Sequence, residues 1–345
     1  MKIAPPLLEA RSNLAVIERL QATLRGTLRT LVPAGTDYVI ADFPNHSNVG
    51  DSAIYVGEAI FFMEHFQRRP SLVTEAWEID FEALRRHEWT GPVLLHGGGN
   101  FGDIWPRHQL FREKVITHFR DRQIIQLPQS IHFESEANLA RAAAAINAHP
   151  DFTLLVRDEQ SLAIAKAAFT CPVLLAPDMA FMIGAFEPPK PPTCKVLCLL
   201  RQDKESNLKV GDSLDRLPRP SVVVDWPTEE RRIRFARLPF GIRRHLPAAL
   251  HGYRPQSPKA FEYLAWRRVI RGFELLAQGE VIVTDRLHAH ILSLLLGKPH
   301  VTLDNFYGKI RNFANAWTNG ANFVDALTLD EAVEKAAKLL KSDIP

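Results

Sequence analysis

Cysteine is scarce: Cys171, Cys194 and Cys198 are the only three in 345 residues. So sparse and odd a set argues against a disulfide frame and fits a reducing compartment. Cys194 and Cys198 fall inside the apolar run Thr193 to Leu200, where a thiol packs as a small apolar residue. Long apolar runs are absent too. No stretch approaches the roughly 20 residues of a membrane span. The opening Met1-Lys2-Ile3-Ala4-Pro5-Pro6 has neither an apolar targeting core nor a cleavage site. A cytoplasmic location is the expectation. An excess of one charge is also missing. With 42 Lys and Arg against 39 Asp and Glu, the formal net charge is +3, too little to argue for a nucleic-acid partner.

What is present is an ordinary globular composition, 46% hydrophobic and 23% charged, which leaves little room for disorder. The length exceeds what one core usually serves, so two domains are expected. Leu7 to Val32 has a helical period, and short apolar runs then alternate with helical segments. Strands are expected at Tyr38 to Ala41, Pro92 to His96, Gln123 to Leu127, Phe152 to Val156 and Val173 to Ala176, with helices at Ser52 to Phe66 and Ala137 to Ala148. The segment Phe186 to Pro192 interrupts the pattern, because its four prolines in the last five positions exclude a helix interior or a central strand. Alternation resumes at Lys195 to Leu200, Ser221 to Val224, Glu280 to Thr284 and His300 to Leu303. A last helix opens at Thr328, with Glu331 at capping-box spacing. This order predicts an α/β protein with parallel sheets covered on both faces. The expected division is an N-terminal Rossmann-like domain over 1–187, a Pro-rich linker over 188–192, a C-terminal Rossmann-like domain over 193–326 and a terminal helix within 327–345. Two such domains resemble the GT-B architecture, whose active site lies in the interdomain cleft. Open α/β sheets bind ligands beyond the carboxyl ends of their strands.

Five segments look like chemistry. Pro44 to Ala53 follows a strand and opens a helix. Gly50 there lets the backbone approach a ligand, and the helix start offers free N–H groups. Asp51 reads equally as a ligand-facing group or as a plain N-cap. His96-Gly97-Gly98-Gly99-Asn100 places three glycines after a strand, either to admit a bound group or to permit tight packing. Neither a GxGxxG nor a Gly-Lys-Ser/Thr pattern follows, so NAD and ATP are not expected. Arg157 ends a strand, where it can grip a carboxylate or phosphate or pair with Asp158 or Glu159. Asp285-Arg286-Leu287-His288 comes at a strand-to-helix junction. Arg286 suits an anion, and His288 can exchange a proton near neutral pH. His290 reads as packing under that helix. Lys309, after the next strand, either adds charge for a phosphate or lies on a solvated surface.

Asn48-Val49-Gly50-Asp51, Gly97-Gly98-Gly99-Asn100, Arg157-Asp158, Ala176-Pro177-Asp178, Asp285-Arg286-Leu287-His288 and Lys309 after Tyr307 together resemble, in order and spacing, the polysaccharide pyruvyl transferase family. The resemblance runs from Asp42 to Trp317, and Asp203 to Arg271 matches no part of it. It implies an enzyme that moves the pyruvyl group of phosphoenolpyruvate onto a sugar of a bacterial-type exopolysaccharide or its lipid-linked precursor. A cyclic pyruvate ketal forms and phosphate is released. Phosphoenolpyruvate is then a co-substrate, and neither a further cofactor nor a metal is expected. His288, at a strand end beside Arg286, is then expected as the general acid, with Arg286 and Asp51 also catalytic, and Arg157, Arg286, Lys309 and Asp285 are expected to bind the donor. Asp51 becomes a hydroxyl-orienting group or base. The segments Asn48 to Asp51 and Gly97 to Asn100 line the acceptor side or the cleft, and the first domain holds the acceptor. Two other functions fit the same fold. One is a GT-B glycosyltransferase, told apart by its nucleotide-sugar donor. The other is a non-catalytic sugar-binding subunit, against which the intact Arg286–His288 pair speaks. Finally, Arg231 to Arg244 carries six arginines and no acid. It reads as a solvated basic face, or as two short amphipathic helices in peripheral contact with anionic lipid or a lipid-linked diphosphate.

Overall fold

The structure, a computed structural model, describes residues 5–76, 81–86, 89–201, 212–226, 257–304 and 308–341. Among these, strands form two sheets in which every pairing is parallel. The first contains β1 (Val39–Ala41), β2 (Leu72–Thr74), β3 (Val93–Leu95), β4 (Gly98–Gly102), β5 (Ile124–His132), β6 (Phe152–Val156) and β7 (Val173–Leu175). Its order is β2-β1-β3-β5-β6-β7, with β4 also paired to β5. The second contains β8 (Cys194–Leu199), β9 (Ser221–Val224), β10 (Gly279–Thr284), β11 (His300–Leu303) and β12 (Val324–Ala326), in the order β12-β11-β10-β8-β9. The helices are α1 (Pro5–Arg29), α2 (Val49–Phe66), α3 (Phe81–Arg86), α4 (Pro106–His118), α5 (Glu136–Asn147), α6 (Glu159–Ala168), α7 (Pro258–Leu276), α8 (Leu287–Leu295), α9 (Lys309–Phe313) and α10 (Leu329–Leu339).

The parallel α/β class follows from the apolar runs. β1, β3 and β6 are buried at every position, as a sheet covered on both faces requires. α1 buries Val16, Ile17, Leu20, Leu24 and Leu28 along one stripe. α10 does the same with Leu329, Ala332, Val333 and Ala336. Its cap is Thr328, whose Oγ1 accepts from the Glu331 N–H at 3.2 Å, while the Glu331 carboxylate accepts from the Leu327 N–H at 2.7 Å. The expected strands occur within a few residues of their predicted bounds. β2 and β12 were not expected, and β4 begins inside the glycine run that reads as a loop.

Residues 184–193 carry neither helix nor strand and separate the two sheets along the chain. The core does not divide there. One cluster of buried side chains runs from α1 and α2 into α7, α8 and Trp317. α2 is apolar on nearly every side because it packs both on the turn Met179–Ile183 and on α7. Arg268 of α7 is fully buried. It donates to the Pro44 carbonyl at 3.0 Å and to Asn45 Oδ1 at 3.1 Å, so it is an internal strut for the loop before α2. Trp317 ties the chain back again. Its Nε1 donates to the Arg157 carbonyl at 2.9 Å, and its own carbonyl accepts from Arg19 Nη2 of α1 at 2.7 Å. The run Arg231 to Arg244 lies outside the described residues. No helix among the described residues is long and apolar enough to cross a membrane.

Candidate active site

The carboxyl ends of both sheets open on one cavity of about 600 Å³. The first half lines it with Asn48 just before α2 and Asp51 in its first turn, Gly99 and Asn100 of β4, Trp105 to His108 at the start of α4, and Arg157 after β6. The second half adds Arg201 after β8, Trp226 after β9, Arg286 to His288 at the β10–α8 junction, and Lys309 of α9. Among the described residues, five cations (Arg107, Arg157, Arg201, Arg286 and Lys309) thus line the cavity with one carboxylate, Asp51. Backbone donors and positive charge at strand ends make this a place for an anion.

His288 stands at its floor. The Thr284 hydroxyl accepts from the Arg286 N–H at 3.1 Å and turns the chain from β10 into α8. His288 then lies against α2, where a Cβ on Gly50 would come 2.4 Å from its Nδ1. Gly50 therefore makes room for His288, and not for a ligand as its sequence position suggests. The His288 Nε2 lies 3.3 Å from Asp178 Oδ2. Asp178 also takes Arg157 Nη1 at 2.5 Å and the Ala180 N–H at 2.9 Å. Burial pushes the Asp178 carboxyl up, but His288, Arg157 and the Ala180 N–H outweigh it and hold it well below the ordinary carboxylate range.

The cations are braced by carboxylates the sequence did not pair with them. Arg157 joins Asp178 and Ser130, not Asp158 or Glu159. Asp158 is spent on capping α6 through the Ser161 N–H at 2.7 Å. Arg286 grips Asp225 with Nε and Nη2, both at 2.6 Å. Asp285, expected beside the donor, does not line the cavity. It is 1% exposed, and its Oδ1 accepts from the Arg201 N–H at 2.9 Å. Its Oδ2 has no hydrogen-bond partner among the described residues, and burial pushes the carboxyl up to about 6.

Asp51 is not the N-cap of α2. That residue is Asn48, whose Oδ1 accepts from the Gly50 N–H at 2.9 Å. Asp51 sits in the first turn, accepts from Asn48 Nδ2 at 2.9 Å and lies 3.5 Å from His46 Nε2. Burial pushes its carboxyl up, but His46, His288, His96 and His108 together hold it below the usual range. The glycines divide their labour. Gly97 packs, its N–H donating to the buried Glu58 carboxylate at 2.9 Å, and Gly98 does not line the cavity. Gly99 makes room, since a Cβ there would meet Arg157 Nη2 at 3.0 Å and lie 3.8 Å from Lys309 Nζ. Asn100 is fixed by Arg112 Nη2 at 2.7 Å and Gln129 Nε2 at 3.0 Å. Cations reach the lining from both halves, Arg107 and Arg157 from the first and Arg201, Arg286 and Lys309 from the second, and Asp51 is a neighbour of His288. Among the described residues, no group of three or more His, Cys, Asp or Glu is placed to hold a metal ion.

Residues 48–305 match the family model described as polysaccharide pyruvyl transferase. The chain belongs to the polysaccharide pyruvyl transferase family. It is 34% identical over 320 residues to pyruvyl transferase 1 of Schizosaccharomyces pombe, covering 86% of this chain and 74% of that protein. It is 31% identical over 313 residues to the "Putative pyruvyl transferase EpsO" of Bacillus subtilis, covering 87% of this chain and 91% of that one. A crystal structure of a functionally uncharacterized Klebsiella pneumoniae protein shares the fold, with a TM-score of 0.58 at 18% identity over 90% of this chain and 99% of that chain. The chain is thus an enzyme of the pyruvyl transferase class, with a polysaccharide implied as acceptor. The family match takes in Asp51, Arg157, Asp178 and His288, and stops just before Lys309.

Proposed function

We propose that this pyruvyl transferase takes its pyruvyl group from phosphoenolpyruvate and closes it as a cyclic ketal across two hydroxyls of one sugar, releasing phosphate. One observation supports this above the others: five cations and the His288–Asp178 pair converge on a single cavity. The donor carries a carboxylate and a phosphate, and guanidinium forks suit both. Arg157, Arg286 and Lys309 bind it, with Arg201 as a further cation. His288 gives its proton to the methylene carbon C3, and the C2=C3 electron pair forms the new C–H bond. C2 becomes oxocarbenium-like, and the first hydroxyl oxygen bonds to it. The C2–O bond to phosphate then breaks, and the second hydroxyl closes the ketal. One hydroxyl proton returns to His288 and the other leaves with phosphate. Asp178 steadies the imidazolium, while Asp51, held as a carboxylate, orients a hydroxyl. The scheme requires no further cofactor.

The same reading extends to the surroundings. Two parallel sheets whose carboxyl edges share a cavity fit a GT-B arrangement. The acceptor is a sugar of a bacterial-type exopolysaccharide or its lipid-linked precursor. The six arginines of Arg231 to Arg244 support a peripheral contact with anionic membrane in the cytoplasm. The test is incubation with phosphoenolpyruvate and candidate oligosaccharides. The expected result is acceptor-dependent phosphate release with a product that carries one ketal. Release of a nucleoside diphosphate from a nucleotide sugar, with phosphoenolpyruvate inert, would sink the reading.

A further inference from the structure

We propose that His108 is the base that takes a proton from the acceptor hydroxyl, with Asp42 as its positioning residue; this rests on the phosphoenolpyruvate reading above. Among the described residues the cavity is lined by histidines of three carboxylate–histidine pairs: the first is His288 with Asp178, which that reading uses, the second is His108 with Asp42, and the third, wider one is His46 with Asp51 at 3.5 Å. In the second, His108 Nδ1 lies 2.9 Å from each carboxylate oxygen of Asp42. His108 lines the cavity from the first turn of α4, and Asp42 is buried at the end of β1. Asp42 is built into place. Its φ is +73°, in the left-handed region that side chains rarely adopt, and Asn100 Nδ2 donates to it at 3.4 Å. Backbone of that kind persists where the surrounding structure enforces it, and it concentrates at functional sites.

The chemistry follows from the partner. A carboxylate at Nδ1 makes that nitrogen the donor, so the neutral ring carries its lone pair on Nε2. Asp51 is the weaker base, because the four histidines around it hold its carboxyl below the ordinary range against the upward push of burial. In the step proposed, the hydroxyl oxygen bonds to C2 as its O–H bond breaks. The proton passes to Nε2 of His108 and from there to the departing phosphate, and the ring returns to neutral.

The test uses the full chain, with phosphoenolpyruvate binding followed by calorimetry. Turnover is followed as phosphate release with methyl galactopyranoside, methyl glucopyranoside and exopolysaccharide oligosaccharides. His108→Gln is expected to lower kcat by about 10²- to 10⁴-fold, with donor affinity within about twofold of wild type. Added imidazole is expected to restore at least about tenfold of the loss in His108→Ala. Asn tolerates left-handed backbone, so Asp42→Asn removes the charge without disturbing the chain. It is expected to lower kcat about 10- to 100-fold at unchanged donor affinity. Turnover of His108→Gln within about threefold of an active wild type overturns the assignment, and so does a loss of donor affinity as large as the loss of turnover. Wild type that neither binds phosphoenolpyruvate nor releases phosphate from it overturns the parent reading instead.

Discussion

His288 and His290 stand two residues apart on α8 and meet opposite surroundings. A two-residue step turns a helix by about 200°, so one ring faces the cavity and the other faces inward. His288 meets the Asp178 carboxylate. His290 is fully buried, with Nδ1 2.8 Å from His300 Nε2 and Nε2 3.0 Å from the Thr318 hydroxyl. Burial and the neighbouring His300 push the His290 pKa well down, and burial pushes that of His300 down to about 4. The same residue type in the same motif thus meets a cavity in one position and the core in the next. The partner decides: a buried carboxylate for one ring, a second imidazole for the other.

The comparison breaks first if His288 is dispensable. His288→Ala is expected to lower turnover by about 10²- to 10⁴-fold with little change in melting temperature. Near-normal phosphate release at saturating substrate would leave the two histidines alike. Arg286→Ala comes next, with an expected loss of about 2–4 kcal/mol of transition-state binding, or two to three decades in kcat/KM for the donor. His290→Ala should behave in the opposite way. It leaves His300 and Thr318 short of a buried partner, so urea titration should find about 1–3 kcal/mol less stability. Turnover per folded molecule should stay within about twofold.

Two effects of pH sharpen the contrast further. Burial lowers the folded pKa of His300 to about 4 from the ordinary histidine value of 6.5, so below pH 6.5 the unfolded chain binds a proton that the folded one refuses. Its contribution is complete above pH 6.5 and is lost as pH falls toward 4. The urea midpoint of wild type should therefore drop more over this window than that of His300→Gln. The smallest effect concerns Asp285, whose folded pKa is raised from 3.8 to about 6. Ionising it costs the folded state, and the cost grows as pH rises from 3.8 through 6. Asp285→Asn keeps an acceptor for the Arg201 N–H and should gain about 1 kcal/mol at pH 7 and nothing at pH 3.5. A gain that is equal at both values would mean the carboxyl is not the cause.

Much of this was legible in the sequence. The β-branched runs fixed nine strands because their apolar side chains point to both covered faces of a parallel sheet. β4 was hidden, since glycines carry no side-chain pattern and its identity comes only from pairing with β5. The Asp285 to His288 cluster stood out because polar groups follow an apolar run at once. The pairings of that cluster did not, although Asp178 itself falls in a segment that carries the family resemblance. Asp178 lies 110 residues from His288 along the chain and Asp225 lies 61 from Arg286. Arg107, His108 and Arg201 are single polar residues just past strands or at a helix start, and nothing in their neighbours marks them. Only the convergence of two sheet edges brings them to one cavity. Asp285 misled because its position in the motif suggested a ligand contact, whereas a side chain beside a cavity can still turn into the core.

Trp317 holds Arg157 and α1 at once, and His288 needs Gly50 to seat it. On the ribosome these contacts arrive late. A nascent chain exposes α1, α2 and Arg157 long before the residues that cover them have been made. It carries Arg107 and Arg157 of the cavity lining but not Arg201, Arg286, His288 or Lys309. Such an intermediate has an apolar flank on α2 with nothing to pack on it, a natural surface for a chaperone to guard. Completing the cavity therefore depends on residues made as late as Trp317, whose side chain and carbonyl dock onto Arg157 and α1 of the early chain.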